Sequence, residues 1–280
     1  MSRFAVDGAD LYFASSGEGG PLLVLLHGGM CDHRDWRLQL DGLSDRFRMV
    51  APDLRCHGQS GGSPESFTIE QLASDLIRLL EQLGGEPAVL VGHSLASRVV
   101  AEAASRRPDL AAGVVLLDGS RGEGGFAATQ PADSAAMPPA TLRDVLDVTV
   151  GPWARADLRA QIIEQMAAVP ATVMAACVQA MSDWDRAKAD AVYADLPAEL
   201  PLFAIQATYH DRYTARRSLT DADETTPYLA FLRAVRPNVD VAILPDTGHF
   251  VMLERPERVD ALFGHFAARA MGERTWPGSA

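Results

Sequence analysis

A serine hydroxyl is a weak nucleophile near neutral pH. It does covalent chemistry only when a neighbouring imidazole takes its proton and an acid orients that imidazole. The segment "AVLVGHSLASRVV" (88–100) offers such a hydroxyl: a continuously apolar run breaks at Gly92, presents His93 and Ser94, and resumes as a helical pattern. A reversal from strand to helix within about three residues strains the backbone of its central residue and crowds its neighbours. Only small residues, Gly92 and Ala96, stand two positions either side of Ser94. The pattern therefore predicts a hydroxyl raised at the carboxyl end of a strand, with the first amides of the next helix aimed at the same spot. A base and an acid must then come from elsewhere in the chain.

The elements that would position them are legible as runs. "PLLVLLHG" (21–28), "FRMVAPDL" (47–54), "AVLVGH" (88–93), "GVVLLDG" (113–119), "PLFAIQAT" (201–208) and "VDVAILPD" (239–246) are continuously apolar rather than alternating, which is the mark of a strand buried on both faces. Helical patterns separate several of them, notably 66–84 and 96–108. Alternation of that kind predicts a parallel sheet covered by helices. "FAVDGADLYFAS" reads instead as an edge hairpin turning at "DGAD". Between Asp118 and Pro201 the strand rhythm stops for about eighty residues, giving way to a Gly/Ala/Pro-rich stretch (121–140) and helical segments around Leu142–Val150, Ala156–Ala168 and Ala171–Met181. A structureless loop of that length is rare, so the expectation is a helical cap over the sheet. That divides the chain into a core of residues 1–120 and 201–280 and a cap of residues 121–200. "GERTWPGSA" carries no pattern and reads as a loose tail.

Four stretches in order resemble the α/β-hydrolase superfamily, over about Pro21 to Phe266. "LLHGGM" is similar to its oxyanion loop, "APDLRCHGQS" to the turn after its fourth strand, "GHSLAS" to its nucleophile elbow, and "DTGHFVMLERPERV" to its histidine loop and last helix. Two departures stand out: Ala96 replaces the second glycine of G-x-S-x-G, and Cys56 replaces the glycine of "DLRGHG". The resemblance implies the α/β-hydrolase fold, a mostly parallel central sheet with helices on both faces and a helical cap insertion. It implies His249 as the base, with His27 and His93 bracing loops and the other histidines solvated or packed. For the acid it leaves two candidates: Asp118, closing "VVLLDGSR", and Asp211, which comes one residue late after the following strand; Asp118 is slightly favoured. Oxyanion donors would be the amides of Leu95 and of Gly29 or Met30.

Trp36, Trp153, Trp184 and Tyr209 are candidates to line an apolar acyl pocket, with plain packing as the commoner use of such aromatics. The arginine-rich "HDRYTARR" (210–217) reads as a solvated charge run, with contact to an anionic substrate as the alternative. A serine at the elbow points to an acyl-enzyme and to hydrolysis of a carboxylic ester, thioester or lactone of a small to medium apolar substrate. The same residues admit C–C bond hydrolysis or perhydrolysis, and, in another class, a ligand sensor without turnover. No metal or organic cofactor is called for. A formal net charge of -12 disfavours nucleic acid and anionic membranes as partners, leaving a small-molecule substrate and a monomer or homodimer. Three cysteines, Cys31, Cys56 and Cys177, lack paired spacing, and the first twenty residues show no basic segment followed by an apolar one. Both fit a reducing, cytoplasmic setting.

Overall fold

The structure is a computed structural model that describes residues 2–122, 150, 154–211 and 216–272. The hairpin forms as the pattern requires, β1 (Ser2–Val6) and β2 (Ala9–Ser16) turning at Asp7 and Gly8, the latter at φ 73°. β3 (Leu22–Leu26), β4 (Arg48–Pro52), β5 (Ala88–His93), β6 (Ala111–Leu117), β7 (Leu202–Gln206) and β10 (Asp240–Ile243) are the six apolar runs. They join the hairpin in an eight-stranded sheet of order β1-β2-β4-β3-β5-β6-β7-β10, parallel from β4 onward, while the short pair β8 (Thr208–Tyr209) and β9 (Arg217–Ser218) stands apart.

The register explains why five of these runs are apolar throughout; β10, expected to be buried on both faces, is instead the sheet's edge strand, with Asp240 exposed and the rest half-buried. Val50, Val24, Leu90, Val114 and Leu202 align across four strand pairs and face one core, while Leu25, Val91, Val115 and Phe203 face the other. The first core is closed by α2 (Ile69–Gln82), capped at Thr68, by α3 (Ala96–Arg106) and by α7 (Pro227–Val235). The second is closed by Trp36 and by Val259, Phe263 and Phe266 of α9 (Pro256–Ala270). Between β6 and β7 lie α4 (Ala156–Ala167), α5 (Ala171–Ala187) and α6 (Ala189–Asp195). The helix expected around Leu142–Val150 lies, apart from Val150, outside the described residues. Among the described residues, no single helix is long and apolar enough to cross a membrane.

Strand order reverses between β3 and β5: the chain leaves β3 toward β4 on one side and returns to β5 on the other. Loops that diverge in this way leave a crevice at the carboxyl ends of the strands. The loops after β3 and β5, carrying Gly28–Met30 and Ser94, border it.

Candidate active site

Ser94 sits between the end of β5 and the start of α3 with φ 53°, the left-handed conformation that the tight reversal demands, and is half-buried. The crowding is specific. A Cβ on Gly92 would lie 2.3 Å from the Ala96 carbonyl oxygen, whereas the methyl of Ala96 is accommodated with no exposure at all. Cys56 likewise adopts φ 64°, the conformation of the glycine it replaces.

Three side chains from distant loops are hydrogen-bonded in series. His249 Nε2 lies 3.0 Å from Ser94 Oγ, and His249 Nδ1 donates to Asp118 Oδ2 at 2.7 Å. Asp118, at φ 43°, turns back at the end of β6 to receive three further donors: the amides of Ala207 and Thr208 at 2.9 Å on Oδ1, and the Thr208 hydroxyl at 2.7 Å on Oδ2. The alternative acid is elsewhere, since Asp211 accepts from the Tyr209 hydroxyl at 3.0 Å. Burial, then the Arg216 guanidinium, lower the His249 imidazole to about 4 against the pull of Asp118. Burial alone would raise the Asp118 carboxyl, but His249, Arg216 and Thr208 together hold it below the usual carboxylate range. The pair is therefore a neutral imidazole against a carboxylate, the protonation state a base needs. The histidine loop is pinned from both sides: His93 Nε2 donates to the His249 carbonyl at 2.9 Å, and Glu254 accepts from the amides of Gly248 and Phe250 at 2.8 and 3.2 Å.

Opposite the elbow, a Cβ on Gly28 would stand 3.1 Å from the Ser94 Cβ, and one on Gly29 3.4 Å from the Leu95 side chain, so the glycine loop lies directly against the serine. His27 ties this loop to the turn after β4, its Nδ1 donating to the Gly28 carbonyl and its Nε2 accepting from the Leu54 amide. Met30 is a correction to the donor set. Its amide, at φ 63°, donates to His57 Nε2 at 3.1 Å and is engaged there rather than free for a substrate oxygen. Nearby, Asp32, His33 and Asp53 bring potential metal-ligand atoms within 4.8 Å of one another. Their atoms already serve the loop: Asp53 accepts from the His33 amide, its imidazole and the Gln59 amide, and Asp32 from Arg34.

A family model described as "Alpha/beta hydrolase family" matches residues 23–262. The chain belongs to the alpha/beta hydrolase family. It is 27% identical over 256 residues to 2-(acetamidomethylene)succinate hydrolase of Mesorhizobium japonicum, covering 85% of this chain and 84% of that one. It is 35% identical over 112 residues to the dihydrolipoyllysine-residue acetyltransferase component of the acetoin cleaving system of Cupriavidus necator, a match spanning 40% of this chain and only 30% of that protein. Among solved structures, a thermophilic esterase from Thermogutta terrifontis superposes with a TM-score of 0.76 at 23% identity, over 96% of this chain and 99% of that one.

In this alpha/beta hydrolase the cavity beside Ser94 is lined largely by sulfur-bearing side chains, with Phe250 contributing a phenyl ring. Met166 of α4 and Met174, Cys177 and Met181 of α5 face it, while Ser94, His249, Gly29 and Leu95 form its floor. Trp36 is instead fully buried in the second core against Phe263. Trp184 donates its indole N–H to Glu102 at 2.9 Å and meets Tyr193 edge-on. Tyr209 lies beneath the Arg217 guanidinium, and Trp153 falls outside the described residues. Large rings were drawn to the core, where they bury most area; the 174–177–181 spacing on one helix face was the signal for the wall that exists. Two more polar groups border the cavity. Arg98 of α3 pairs with Asp185 of α5 at 2.6–2.7 Å beside the cavity, and Arg216, from the run expected to be solvated, is buried against His249.

Proposed function

We propose that this chain is a serine hydrolase that cleaves a carboxylic ester, thioester or lactone through an acyl-enzyme on Ser94. The observation that carries this reading is the unbroken hydrogen-bonded series from Ser94 through His249 to Asp118 at the floor of the cavity. Ser94 Oγ attacks the carbonyl carbon while its proton passes to His249 Nε2. The new positive charge on the ring is balanced by Asp118, and the oxyanion is received by the amides of Gly29 and Leu95. His249 then returns the proton to the leaving oxygen or sulfur, and a water activated in the same way releases the acid. The helices α4 and α5 act as a cap whose thioether wall adapts to the apolar part of the acyl group, because unbranched, polarizable side chains repack at little cost. Kinship to a hydrolase across most of the chain and the fold shared with an esterase support the reading.

A fluorophosphonate probe followed by peptide mass spectrometry should place the adduct on Ser94. Ser94→Ala should fold normally, since the hydroxyl is not part of the core, yet lose both labelling and, by about 10³-fold or more, p-nitrophenyl ester and lactone turnover. Turnover near the wild-type rate in that variant would falsify the assignment.

A further inference from the structure

The cavity holds a cation whose own anion is already taken. The Arg216 side chain lines the wall and is only 10% exposed, so its charge needs a partner. Its Nη1 forms an ion pair with Asp118 Oδ2 at 3.5 Å, near enough for charge attraction but longer than an ordinary hydrogen bond, so the pairing is loose. Asp118 has no room to come closer: its roughly four acceptor sites are filled by the Ala207 and Thr208 amides, the Thr208 hydroxyl and His249 Nδ1–H. The nearer neighbours of Nη1 are the Thr208 hydroxyl oxygen at 2.8 Å, which is neutral, and His249 Nδ1 at 3.0 Å, which cannot accept while it donates to Asp118. Among the described residues the carboxylate that lines the wall is Asp185, which is gripped at both oxygens by Arg98 and also accepts from the Gly122 amide.

Such a cation also works against the chemistry. Proton transfer from Ser94 places a positive charge on His249, and Arg216, next after burial, is what pushes that imidazole down to about 4. Among the described residues the charged and titratable groups facing His249 are Asp118, Arg216, His93 and His210, with Glu254 behind the loop; burial holds both other histidines neutral. Among the described residues, His210 Nδ1 is itself buried on this wall without a partner. An anion bound at Arg216 would therefore cancel the charge that opposes catalysis and fill an unmet polar demand at once.

Resting on the serine-hydrolase reading above, we propose that Arg216 binds a carboxylate of the substrate, so that the preferred substrate is an ester, thioester or lactone whose acyl part carries a second, ionised carboxyl group. A carboxylate suits the site better than a phosphate dianion, since one planar guanidinium matches one planar, singly charged group.

Mono-4-nitrophenyl glutarate and adipate, each paired with its methyl-capped neutral counterpart, test this. The wild-type protein should favour the half-acids by about 10-fold or more in kcat/KM, with part of the gain in kcat. In Arg216→Met the preference should disappear, and the acid limb of the pH profile for the neutral esters should move to higher pH as His249 recovers toward its ordinary value; Arg216→Lys should keep part of the preference. Equal use of half-acid and neutral ester by the wild type, or a preference that survives in Arg216→Met, overturns the proposal. Binding to Ser94→Ala, followed by tryptophan fluorescence, separates this idea from the one it rests on. Half-acid held by Ser94→Ala and lost in Ser94→Ala/Arg216→Met upholds the carboxylate site even where turnover fails, whereas binding indifferent to Arg216 rejects it even where Ser94 is the nucleophile.

Discussion

Two fully buried aspartates, one in the loop after β6 and one in the short 3-10 helix His33–Trp36 after β3, show how differently this fold treats a carboxyl group. Asp118 receives four hydrogen bonds, two from backbone amides, and is held below the usual carboxylate range even though burial pulls the other way. Asp35 accepts from the Gln165 amide at 3.1 Å on Oδ1, while its buried Oδ2 has no hydrogen-bond partner among the described residues. Burial raises it to about 7 in spite of help from the Cys31 thiol. The depth is the same; the donors differ. Preformed amides, fixed by the sheet before any side chain is placed, are what allow a charge to persist in an apolar interior.

The largest effect should follow from breaking the first of these. Asp118→Asn loses the charge that stabilises the His249 imidazolium and favours the wrong ring tautomer, and should lower kcat by about 10³–10⁴-fold. It also leaves Arg216 buried beside a neutral amide, so the thermal midpoint should fall as well. A rate within a factor of ten of the wild type would mean that the charge of Asp118 is not what supports His249.

The second aspartate predicts a pH effect of definite sign. Its carboxyl group binds a proton more tightly when folded, near pH 7, than when unfolded, near the ordinary value of about 3.9. The native chain therefore carries more protons between those values, and Asp35 makes stability decline as pH rises through that window. Asp35→Asn removes this decline. Relative to the wild type, the variant should gain on the order of 2–4 kcal/mol between pH 4 and pH 7 and level off above. His249 and His57, both lowered to about 4, contribute the opposite slope in both proteins and cancel in the difference. Parallel melting curves across the window would show that Asp35 is charged when folded and would undo the contrast with Asp118.

How much of this was legible in the sequence depended on the range of the physics. The six strands and the elbow were readable because periodicity and close-packing at Gly92 and Ala96 act over a few residues. The closeness of the glycine loop to Ser94 was readable, but the engagement of the Met30 amide was not, because His57 reaches it from another loop. The aromatic pocket was not, because apolar size alone does not distinguish a cavity wall from a core, and Trp36 and Trp184 went to the core. Arg216 was hidden in a run of charges whose spacing is that of a solvated segment. The choice between Asp118 and Asp211 was open because both follow strands and the deciding donors, at Ala207 and Thr208, lie about ninety residues from one of them.

That choice supplies the smallest and sharpest test. Asp211 accepts from the Tyr209 hydroxyl at 3.0 Å, and Tyr209 itself packs beneath Arg217 on the far side of β8 from the hydrogen-bonded series. An amide in place of that carboxylate still accepts the phenol proton, so Asp211→Asn should change stability by less than about 1 kcal/mol. With no bond to His249, it should shift kcat/KM by no more than about threefold, read on the same esters as Asp118→Asn. Because both substitutions remove one negative charge that acts on His210 of the cavity wall, their ratio separates a long-range field, which would touch the two alike, from a contact made to one ring nitrogen. Comparable losses in the two variants would move the acid's role from the Asp118 hydrogen bond to the summed charge of the loop.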